Sequence, residues 1–282
     1  MQLVQTNSEL KQQLAQARAA GKSIGFVPTM GALHQGHLSL VKLAQQQCDY
    51  VVVSIFVNPT QFGQGEDFDK YPRTLAIDAR LLTDNSVDLL YAPSVGEIYP
   101  SEKPVKVLKA GSIGNEFEGR IRPGHFDGML TVVNRLLDLI EPDFVFFGQK
   151  DAQQVALVRK MLNDQVSTGD RSPVSMVVGE TVRNSDGLAL SSRNKFLTEA
   201  DMPAALSLSG ALFAGQKGAT RDEVLALARE QIFPEAKLEY LELVDATSFE
   251  PTDLGEGQAI LIVAAKVGSV RLIDNVYVDR KL

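Results

Sequence analysis

The sequence predicts an α/β protein in which a doubly wound parallel sheet is followed by a smaller C-terminal α+β domain. Buried, β-branched segments alternate with amphipathic helical segments through the first part of the chain, and this alternation is typical of parallel strands joined by right-handed helical crossovers. The order changes after about Gly179, where two helical segments precede three strand candidates. We therefore predict two domains, residues 1–178 and residues 179–282.

Each predicted element has a local sequence signal. The first helix is expected to begin after the N-cap candidates at residues 6–8 and to end near Gly21. In the first domain we predict strands at residues 24–27, 50–57, 87–92, 144–147 and 174–178, and helices at residues 37–48, 74–85, 132–140 and 152–162. In the second we predict helices at residues 200–213 and 221–232, and strands at residues 238–244, 259–267 and 271–278, with a hairpin turn at residues 268–269.

The composition argues against several classes of protein. The 282 residues carry a net charge of −7 and a pI of about 5.1. Such a chain is not suited to long nucleic acids, whose binding depends on releasing counterions from phosphates. Cys48 is the only cysteine, so neither an intrachain disulfide nor a cysteine-based zinc site is expected. With no signal peptide and no apolar run of membrane-spanning length in the sequence, we expect a reduced, soluble, cytoplasmic protein.

Unusual residues cluster after the first predicted strand of the sheet. Residues 28–37 contain two of the three histidines, His34 and His37, together with two glycines, directly before a helix. Glycine allows the backbone to approach a ligand closely, and a helix N-terminus presents N–H groups and partial positive charge to a phosphate. Two imidazoles nearby can donate hydrogen bonds to phosphate oxygens in a transition state. The alternatives are an ordinary capped turn, or a zinc site with His125 as third ligand.

Three further segments carry polar residues suited to binding. Asn58 and Gln61, in the loop 58–67, are neutral donor–acceptors that suit a small polar substrate. Lys150 and Asp151 precede a helix, where a lysine suits an anion and an aspartate can hold ribose hydroxyls. Residues 191–193, Ser-Ser-Arg, suit a mobile phosphate clamp. The alternatives for these three segments are, in the same order, a solvated loop, a solvated pair with a helix N-cap, and a polar linker. Neither a P-loop nor a dinucleotide-binding glycine motif is present.

Taken together, these segments resemble a known family. The strings that carry the resemblance are PTMGALHQGH (28–37), FVNPTQF (56–62), YPRT (71–74), GRIRPGHFDG (119–128), FFGQKDAQQ (146–154) and SSRN (191–194). In order and spacing they are similar to the pantothenate synthetase family, within the HxGH superfamily of nucleotidyltransferases. The similarity extends from about residue 20 to residue 197 and, more weakly, to the C-terminus. It implies a Rossmann-like first domain and a C-terminal lid domain.

The resemblance also implies a reaction and its partners. The family joins pantoate and β-alanine with ATP, through a pantoyl adenylate, and releases AMP and pyrophosphate in pantothenate and coenzyme A biosynthesis. Mg²⁺ is expected with the phosphates, and family members are usually homodimers. From the composition, neither a nucleic-acid nor a membrane partner is expected. One departure is visible: Leu190 stands where many relatives have methionine, and this exchange of one apolar residue for another should matter little.

Residue roles follow from the same resemblance. The catalytic residues would be His34, His37, Lys150 and Arg193, with His37 as proton donor. Pantoate would bind Gln61 and Gln154, β-alanine would bind Gln61 and Asn58, and Asp78 is the candidate metal ligand. ATP would contact Met30, Gly31, Ala32, Leu33, His34, Gln35, Gly36, His37, Gly148, Gln149, Lys150, Asp151, Val182, Leu190, Ser191, Ser192 and Arg193.

Two other functions compete with this interpretation. Another HxGH nucleotidyltransferase, which adenylylates a small phosphorylated metabolite, would also carry the histidine pair. It would not carry the paired polar residues Asn58 with Gln61 and Gln153 with Gln154. A nucleotide sensor without catalysis usually loses the catalytic side chains, which are all present here. A tRNA synthetase is excluded by the chain's size, its acidity and the absence of an anticodon-binding region.

Overall fold

The structure is a computed structural model that describes residues 1–63, 65–66, 68–255 and 257–278. Residues 64, 67, 256 and 279–282 lie outside this description, and with them parts of the predicted loop 58–67 and of the predicted C-terminal domain. Within the described residues the chain forms two compact units. The first contains Met1–Gly148 and Leu157–Gly179, and the second contains Gln149–Ala156 and the residues from Glu180 onward. The predicted domain boundary, between residues 178 and 179, instead places Gln149–Ala156 in the first domain.

The first unit is built on a parallel sheet, as the sequence predicts. Its strands are β1 (Gln2–Val4), β2 (Ile24–Thr29), β3 (Tyr50–Ile55), β4 (Leu89–Tyr91), β5 (Phe144–Gly148) and β6 (Ser175–Gly179). These six strands of the described chain pair in parallel in the order β1-β4-β3-β2-β5-β6. The order reverses between β2 and β5, and in such sheets ligands bind beyond the carboxyl ends of the strands at this position.

Helices connect these strands. They are α1 (Asn7–Ala19), α2 (Gln35–Gln47), α3 (Leu75–Asp84), α4 (Val95–Ile98), α5 (Glu118–Ile121), α6 (His125–Ile140) and α7 (Ala152–Thr168). Helix α7 begins in the segment that groups with the second unit and continues in the first. Among the helices of the described residues, none combines the length and the apolar character needed to cross a membrane.

Apolar packing holds α2 against the sheet. Leu40, Val41 and Ala44 form its inner face, as the helical spacing predicts, and they pack in one buried cluster with Val27 and Val53. Burying a leucine or valine side chain contributes about 1.5–3 kcal/mol. The N-terminus of α2 is therefore held at a fixed position beyond the carboxyl end of β2.

The second unit combines an antiparallel sheet with two helices. The helices are α8 (Met202–Gly215) and α9 (Arg221–Gln231), and strands β7 (Lys237–Asp245), β8 (Ala259–Val267) and β9 (Val270–Val278) pair in that order. Leu208 and Leu212 of α8 share a buried cluster with Leu261 and Val263 of β8. The predicted smaller α+β architecture, including the hairpin between the last two strands, is confirmed.

Among the elements that differ from the sequence prediction are β1, α4 and α5, which were not predicted, and α6, which begins earlier than expected. β1 was not predicted, because a three-residue edge strand is too short to show a periodic pattern. Helix α6 begins at His125 instead of residue 132. Gly128 obscures this start, since glycine is a poor helix former, yet the position requires it: a Cβ there would lie 2.2 Å from the carbonyl oxygen of Thr60.

Candidate active site

The segment after β2 is a tight turn with a left-handed backbone. Gly31 has a φ of 86° and Ala32 a φ of 51°, and this region is costly for residues that have a Cβ. A Cβ on Gly31 would also lie 3.1 Å from Ile55 Cγ2 and 3.2 Å from Asp78 Oδ2. The turn therefore requires glycine at position 31 and a compensating interaction at Ala32.

Asp78 on helix α3 supplies that interaction. Its side chain is only 2% exposed, and its carboxylate accepts hydrogen bonds from the backbone N–H groups of Ala32 (3.0 Å) and Leu33 (2.9 Å). The Thr74 hydroxyl donates a third hydrogen bond at 3.0 Å. A buried carboxylate with charge-assisted hydrogen bonds to both oxygens is a strong anchor, so α3 fixes the turn before α2.

These contacts bear on the expected metal ligand. Mg²⁺ binding to Asp78 would compete with the two N–H donors, which hold the strained turn. Among the described residues no group of three His, Cys, Asp or Glu side chains is arranged to hold a metal ion. The geometry of Asp78 therefore fits an anchor of the turn and does not fit a metal ligand.

His34 and His37 cap the start of helix α2 with their own side chains. His34 Nδ1 accepts a hydrogen bond from the Gly36 N–H at 3.1 Å, and His37 Nδ1 accepts one from the His34 N–H at 3.2 Å. The two rings lie 4.1 Å apart, centroid to centroid. A ring nitrogen that accepts cannot carry a proton, so in both neutral rings the proton is on Nε2. Each imidazole thus presents an Nε2–H donor.

The surroundings of this pair favour an anion. The first turn of α2 contains no acidic residue, and exposed Gln35 is the first helical residue. A helix of this length has partial positive charge and N–H groups at its N-terminus. Two imidazole donors, a helix N-terminus and a glycine-bearing turn together form an arrangement suited to phosphate oxygens.

A turn after β3 brings Asn58 and Gln61 next to this segment. Asn58 is 1% exposed and Gln61 is 7% exposed, and Asn58 Nδ2 donates to Gln61 Oε1 at 3.1 Å. The Gln61 amide in turn donates to Met30 Sδ at 3.0 Å. Asn58 Oδ1 accepts from the hydroxyl of Tyr99 at 2.8 Å. Three predicted site residues, Met30, Asn58 and Gln61, therefore lie in contact.

Helix α6 supports the same turn at close range. Asn58 Nδ2 donates to the Gly128 carbonyl oxygen at 3.1 Å, and the missing side chain of Gly128 leaves room for the backbone of Thr60 and Gln61. Any larger residue would push the turn away from the helix. This close contact explains why the last residue of the GRIRPGHFDG string, Gly128, is a glycine.

Arg122 and His125, which have no assigned role in the sequence interpretation, extend this support. His125 Nδ1 donates to the backbone carbonyl of Gln61 at 2.8 Å, and His125 Nε2 accepts from Arg122 at 3.1 Å. Arg122 also forms a two-point pair with the Glu66 carboxylate, at 3.0 and 2.7 Å. Both ring nitrogens of His125 are used, which removes the third ligand of the alternative zinc site.

Two pKa shifts follow from these contacts. Burial, assisted by the positive charge of Arg122, lowers the pKa of His125 to about 4, against an opposing effect of the Glu66 and Glu118 carboxylates. Burial acts to raise the pKa of Glu66, but the hydrogen bonds and charge of Arg122 outweigh it and hold that pKa below its ordinary value. At neutral pH, His125 is therefore a neutral imidazole beside the ion pair of Arg122 and Glu66.

In the first unit, an open cavity borders the turn before α2. Its volume is about 580 Å³, which is within the range of small-molecule sites. The lining includes Met30, Gly31 and Asp78 together with Phe56 and Arg73. Two residues predicted to contact ATP therefore also face a space large enough for a small organic molecule.

In the second unit, the segment after β5 forms a 3₁₀ turn that leads into α7. Lys150 Nζ lies 3.5 Å from the carboxylate of exposed Asp151. Gln149 is buried, whereas Gln154 is half-buried on the first turn of α7. Gly148, also predicted to bind the nucleotide, is the last residue of β5 in the first unit.

A short hairpin-like segment leads to the Ser-Ser-Arg residues. The Leu190 N–H donates to the Val182 carbonyl at 2.9 Å, and Arg183 pairs with Ala189 in an antiparallel bridge. Beyond it, the backbone N–H of Arg193 donates to Ser191 Oγ at 3.3 Å. Val182 and residues 190–193 thus belong to one continuous loop of the second unit, and their ligand contacts stay predictions.

Comparisons with known proteins point to one family. The sequence profile described as pantoate-beta-alanine ligase matches residues 2–277. The pantothenate synthetase of Acidothermus cellulolyticus is 47% identical, with 93% of this chain and 88% of that protein covered. The corresponding protein of Moorella thermoacetica is 43% identical, with 99% of both covered.

Solved structures give the same result. Pantothenate synthetase from Thermus thermophilus superposes with a TM-score of 0.90 at 43% identity, covering 99% of this chain and 100% of that one. The pantoate-beta-alanine ligase from Francisella tularensis, complexed with beta-gamma ATP and beta-alanine, has a TM-score of 0.77 at 36% identity, covering 98% and 97%. The chain belongs to the pantoate–β-alanine ligase family.

Proposed function

We propose that this chain joins pantoate and β-alanine at the expense of ATP, through a pantoyl adenylate, and so acts in pantothenate and coenzyme A biosynthesis. The observation that carries the proposal is the pair of imidazoles at the start of α2, each held with its proton on Nε2. Such donors can meet phosphate oxygens whose negative charge increases during nucleotidyl transfer. The ATP and β-alanine in the Francisella tularensis relative support the choice of substrates.

The first step activates the acid. A carboxylate oxygen of pantoate attacks the α-phosphorus of ATP, the bond from that phosphorus to the bridging oxygen of the β-phosphate breaks, and pyrophosphate leaves with the electron pair. We assign His34 and His37 to the triphosphate, with His37 donating a hydrogen bond from its Nε2–H to a phosphate oxygen. Lys150, Ser191, Ser192 and Arg193 supply further donors and positive charge, which suits phosphate binding.

The second step forms the amide. The amine of β-alanine, once it has lost its ammonium proton, attacks the carbonyl carbon of the adenylate. The bond between that carbon and the phosphate oxygen breaks, and AMP leaves. Adenylation is needed because a free carboxylate has no group that an amine can displace.

The remaining residues bind and orient the substrates. We assign pantoate to Gln61 and Gln154, and β-alanine to Gln61 and Asn58, because side-chain amides can both donate to carboxylates and accept from hydroxyls. We assign the rest of the ATP molecule to the other ATP-contact residues: Met30, Gly31, Ala32, Leu33, Gln35, Gly36, Gly148, Gln149, Asp151, Val182 and Leu190. Asn58 already bonds to Gln61 Oε1, which orients the Gln61 amide.

Three further features are proposed from the family alone. Mg²⁺ commonly binds nucleotides through phosphate oxygens and water, and since Asp78 is engaged with the turn before α2, we assign the ion no protein ligand and no step of the reaction. A homodimer and a cytoplasmic location complete the proposal. Sedimentation velocity and cell fractionation test these two.

Pyrophosphate exchange tests the reaction directly. Exchange of labelled pyrophosphate into ATP is expected with pantoate alone, whereas AMP release with amide formation should also require β-alanine. The alternative nucleotidyltransferase predicts exchange with a phosphorylated metabolite instead. Exchange that is indifferent to pantoate would overturn the proposal.

A further inference from the structure

Strand β9 carries two adjacent polar residues that are buried in the second unit. Asp274 is 6% exposed and Asn275 is 3% exposed. Neighbouring side chains of a strand point to opposite faces of the sheet, so the two residues reach different partners. Both partners belong to segments that the proposed function assigns to ATP.

Asn275 holds the turn that contains Lys150. Its Nδ2 group donates to the backbone carbonyls of Gln149 at 2.9 Å and Lys150 at 3.0 Å, and its Oδ1 accepts from Gln149 Nε2 at 3.1 Å. The Tyr277 hydroxyl donates to Gln149 Oε1 at 2.9 Å. Both amide groups are buried and paired, so the backbone on either side of Lys150 is fixed to β9.

Asp274 holds the segment that leads to the Ser-Ser-Arg residues. Its carboxylate forms a two-point pair with Arg183, with N–O distances of 2.5 and 2.9 Å. The same guanidinium donates to the Gly187 carbonyl at 3.1 Å and stacks over the Phe213 ring at 5.1 Å. A two-point pair fixes both the position and the orientation of the guanidinium, and with it the backbone from Arg183 to Gly187.

We propose that Asp274 and Asn275 are positioning residues for ATP. The proposal rests on the proposed function, because it takes Lys150 and Ser191–Arg193 as phosphate ligands. Neither β9 side chain is assigned a substrate contact. By holding the two segments to neighbouring positions of one strand, they keep the two sets of phosphate ligands at a fixed separation.

Binding of ATP to the full-length protein tests the proposal. In Asn275→Ala the turn loses its two carbonyl contacts, and in Asp274→Asn the pair with Arg183 loses its charge. For Asn275→Ala we expect the Kd for ATP, measured by titration calorimetry, to rise roughly 10–100-fold, the scale for a displaced binding group; Asp274→Asn should give a smaller increase. The Kd for pantoate should change less than twofold in both.

A matched control lies on the same sheet. Glu239 on β7 pairs with Arg271 on β9 at 2.6 Å, and neither is assigned to the site. Glu239→Gln should leave both dissociation constants unchanged, and thermal melts should show all variants folded. If Asn275→Ala is unfolded, the isosteric Asn275→Asp provides the same test, because it also removes both donors.

The outcomes separate this proposal from the proposed function. ATP affinity that is unchanged in the folded Asp274 and Asn275 variants, or weakened equally in Glu239→Gln, would overturn the positioning role. Failure of wild-type exchange with pantoate would instead overturn the choice of substrate. The ATP-binding comparison among variants stays informative in that case.

Discussion

At the level of single residues, the three histidines differ in which ring nitrogen carries the proton. His34 and His37 accept at Nδ1 and carry the proton on Nε2, whereas His125 donates from Nδ1 and accepts at Nε2. The backbone and Arg122 set these states, since N–H groups can only donate and carbonyls can only accept. The same side chain thus serves as a donor at the helix start and as a support beneath Gln61.

Replacing His37 tests which nitrogen acts. The amide of glutamine can reach the position of Nε2, and the amide of asparagine that of Nδ1. We expect His37→Ala to lower kcat for pantoate-dependent exchange by roughly 10²–10⁴-fold. His37→Gln should retain more activity than His37→Asn, although Asn keeps an acceptor for the His34 N–H. Full activity in His37→Asn would remove the Nε2 donor from the mechanism.

His125 makes stability depend on pH. The pKa of His125 is about 4 in the folded chain, against an ordinary value of 6.5. As the pH falls from 6.5 towards 4, His125 therefore binds a proton in the unfolded chain but not in the folded chain. The resulting loss of stability is on the order of 3 kcal/mol over this window. Above pH 6.5 the contribution is fully present.

Urea unfolding at pH 7 and pH 5 measures this effect. The difference in unfolding free energy between the two pH values should be smaller in His125→Asn, which can keep a donor to the Gln61 carbonyl but does not titrate. The groups facing His125 are Arg122, Glu66 and Glu118, and Glu66→Gln serves as a control for the ion pair. An identical pH dependence in wild type and His125→Asn would contradict the prediction.

At the level of elements, helix α3 acts on the turn before α2 through one carboxylate. Asp78→Asn puts an amide donor where Ala32 or Leu33 needs an acceptor, so the turn should relax. We expect the Kd for ATP to rise roughly 10-fold or more. The Mg²⁺ concentration at half-maximal activity should stay unchanged, because Asp78 anchors backbone and not metal.

Exposed Asp84 on the same helix provides the control. Asp84→Asn should leave both the Kd for ATP and the Mg²⁺ dependence as in wild type. A selective shift of the Mg²⁺ dependence in Asp78→Asn would restore the metal-ligand assignment.

Alanine substitutions at two helical glycines are expected to have opposite effects on stability. Gly128 in α6 lies against the backbone of Thr60, where a Cβ would come within 2.2 Å, whereas a Cβ on Gly210 in α8 would meet nothing within 4 Å. Gly128→Ala should lower stability by about 1–3 kcal/mol and raise KM for pantoate, because the turn with Gln61 must move. Gly210→Ala should be neutral or stabilising by up to about 1 kcal/mol. Denaturant unfolding and steady-state kinetics check both; equal effects would contradict the argument.

For the whole molecule, local patterns were enough to predict the architecture. The alternation of apolar strands and amphipathic helices gives the parallel sheet, and the change of order near Gly179 gives the α+β region. The loops that hold His34, Gln61 and Lys150 were found because each follows a predicted strand. Which ligand each side chain binds remains an inference from the family.

The contacts that support these residues could not be read from the sequence. Asp78 pairs with Ala32 across 46 positions, His125 with Gln61 across 64, and Asn275 with Gln149 across 126. Periodicity reports only on neighbours within one element, so a single sequence contains no signal for such pairs. For the same reason, the sequence alone suggests that Gly128 interrupts a helix, and only the contact with Thr60 explains why a glycine stands there.

The anchoring role of β9 also sets an order for biosynthesis. The ribosome adds the 126 positions between Gln149 and Asn275 at roughly 5–20 residues per second, which takes on the order of 6–25 s. Within that interval the last strand of the parallel sheet, β6, is completed, while Lys150 and the Ser-Ser-Arg segment still lack the strand that fixes them. A growing chain can therefore build its sheet well before β9 is available to organise the part of the proposed ATP site that lies in the second unit.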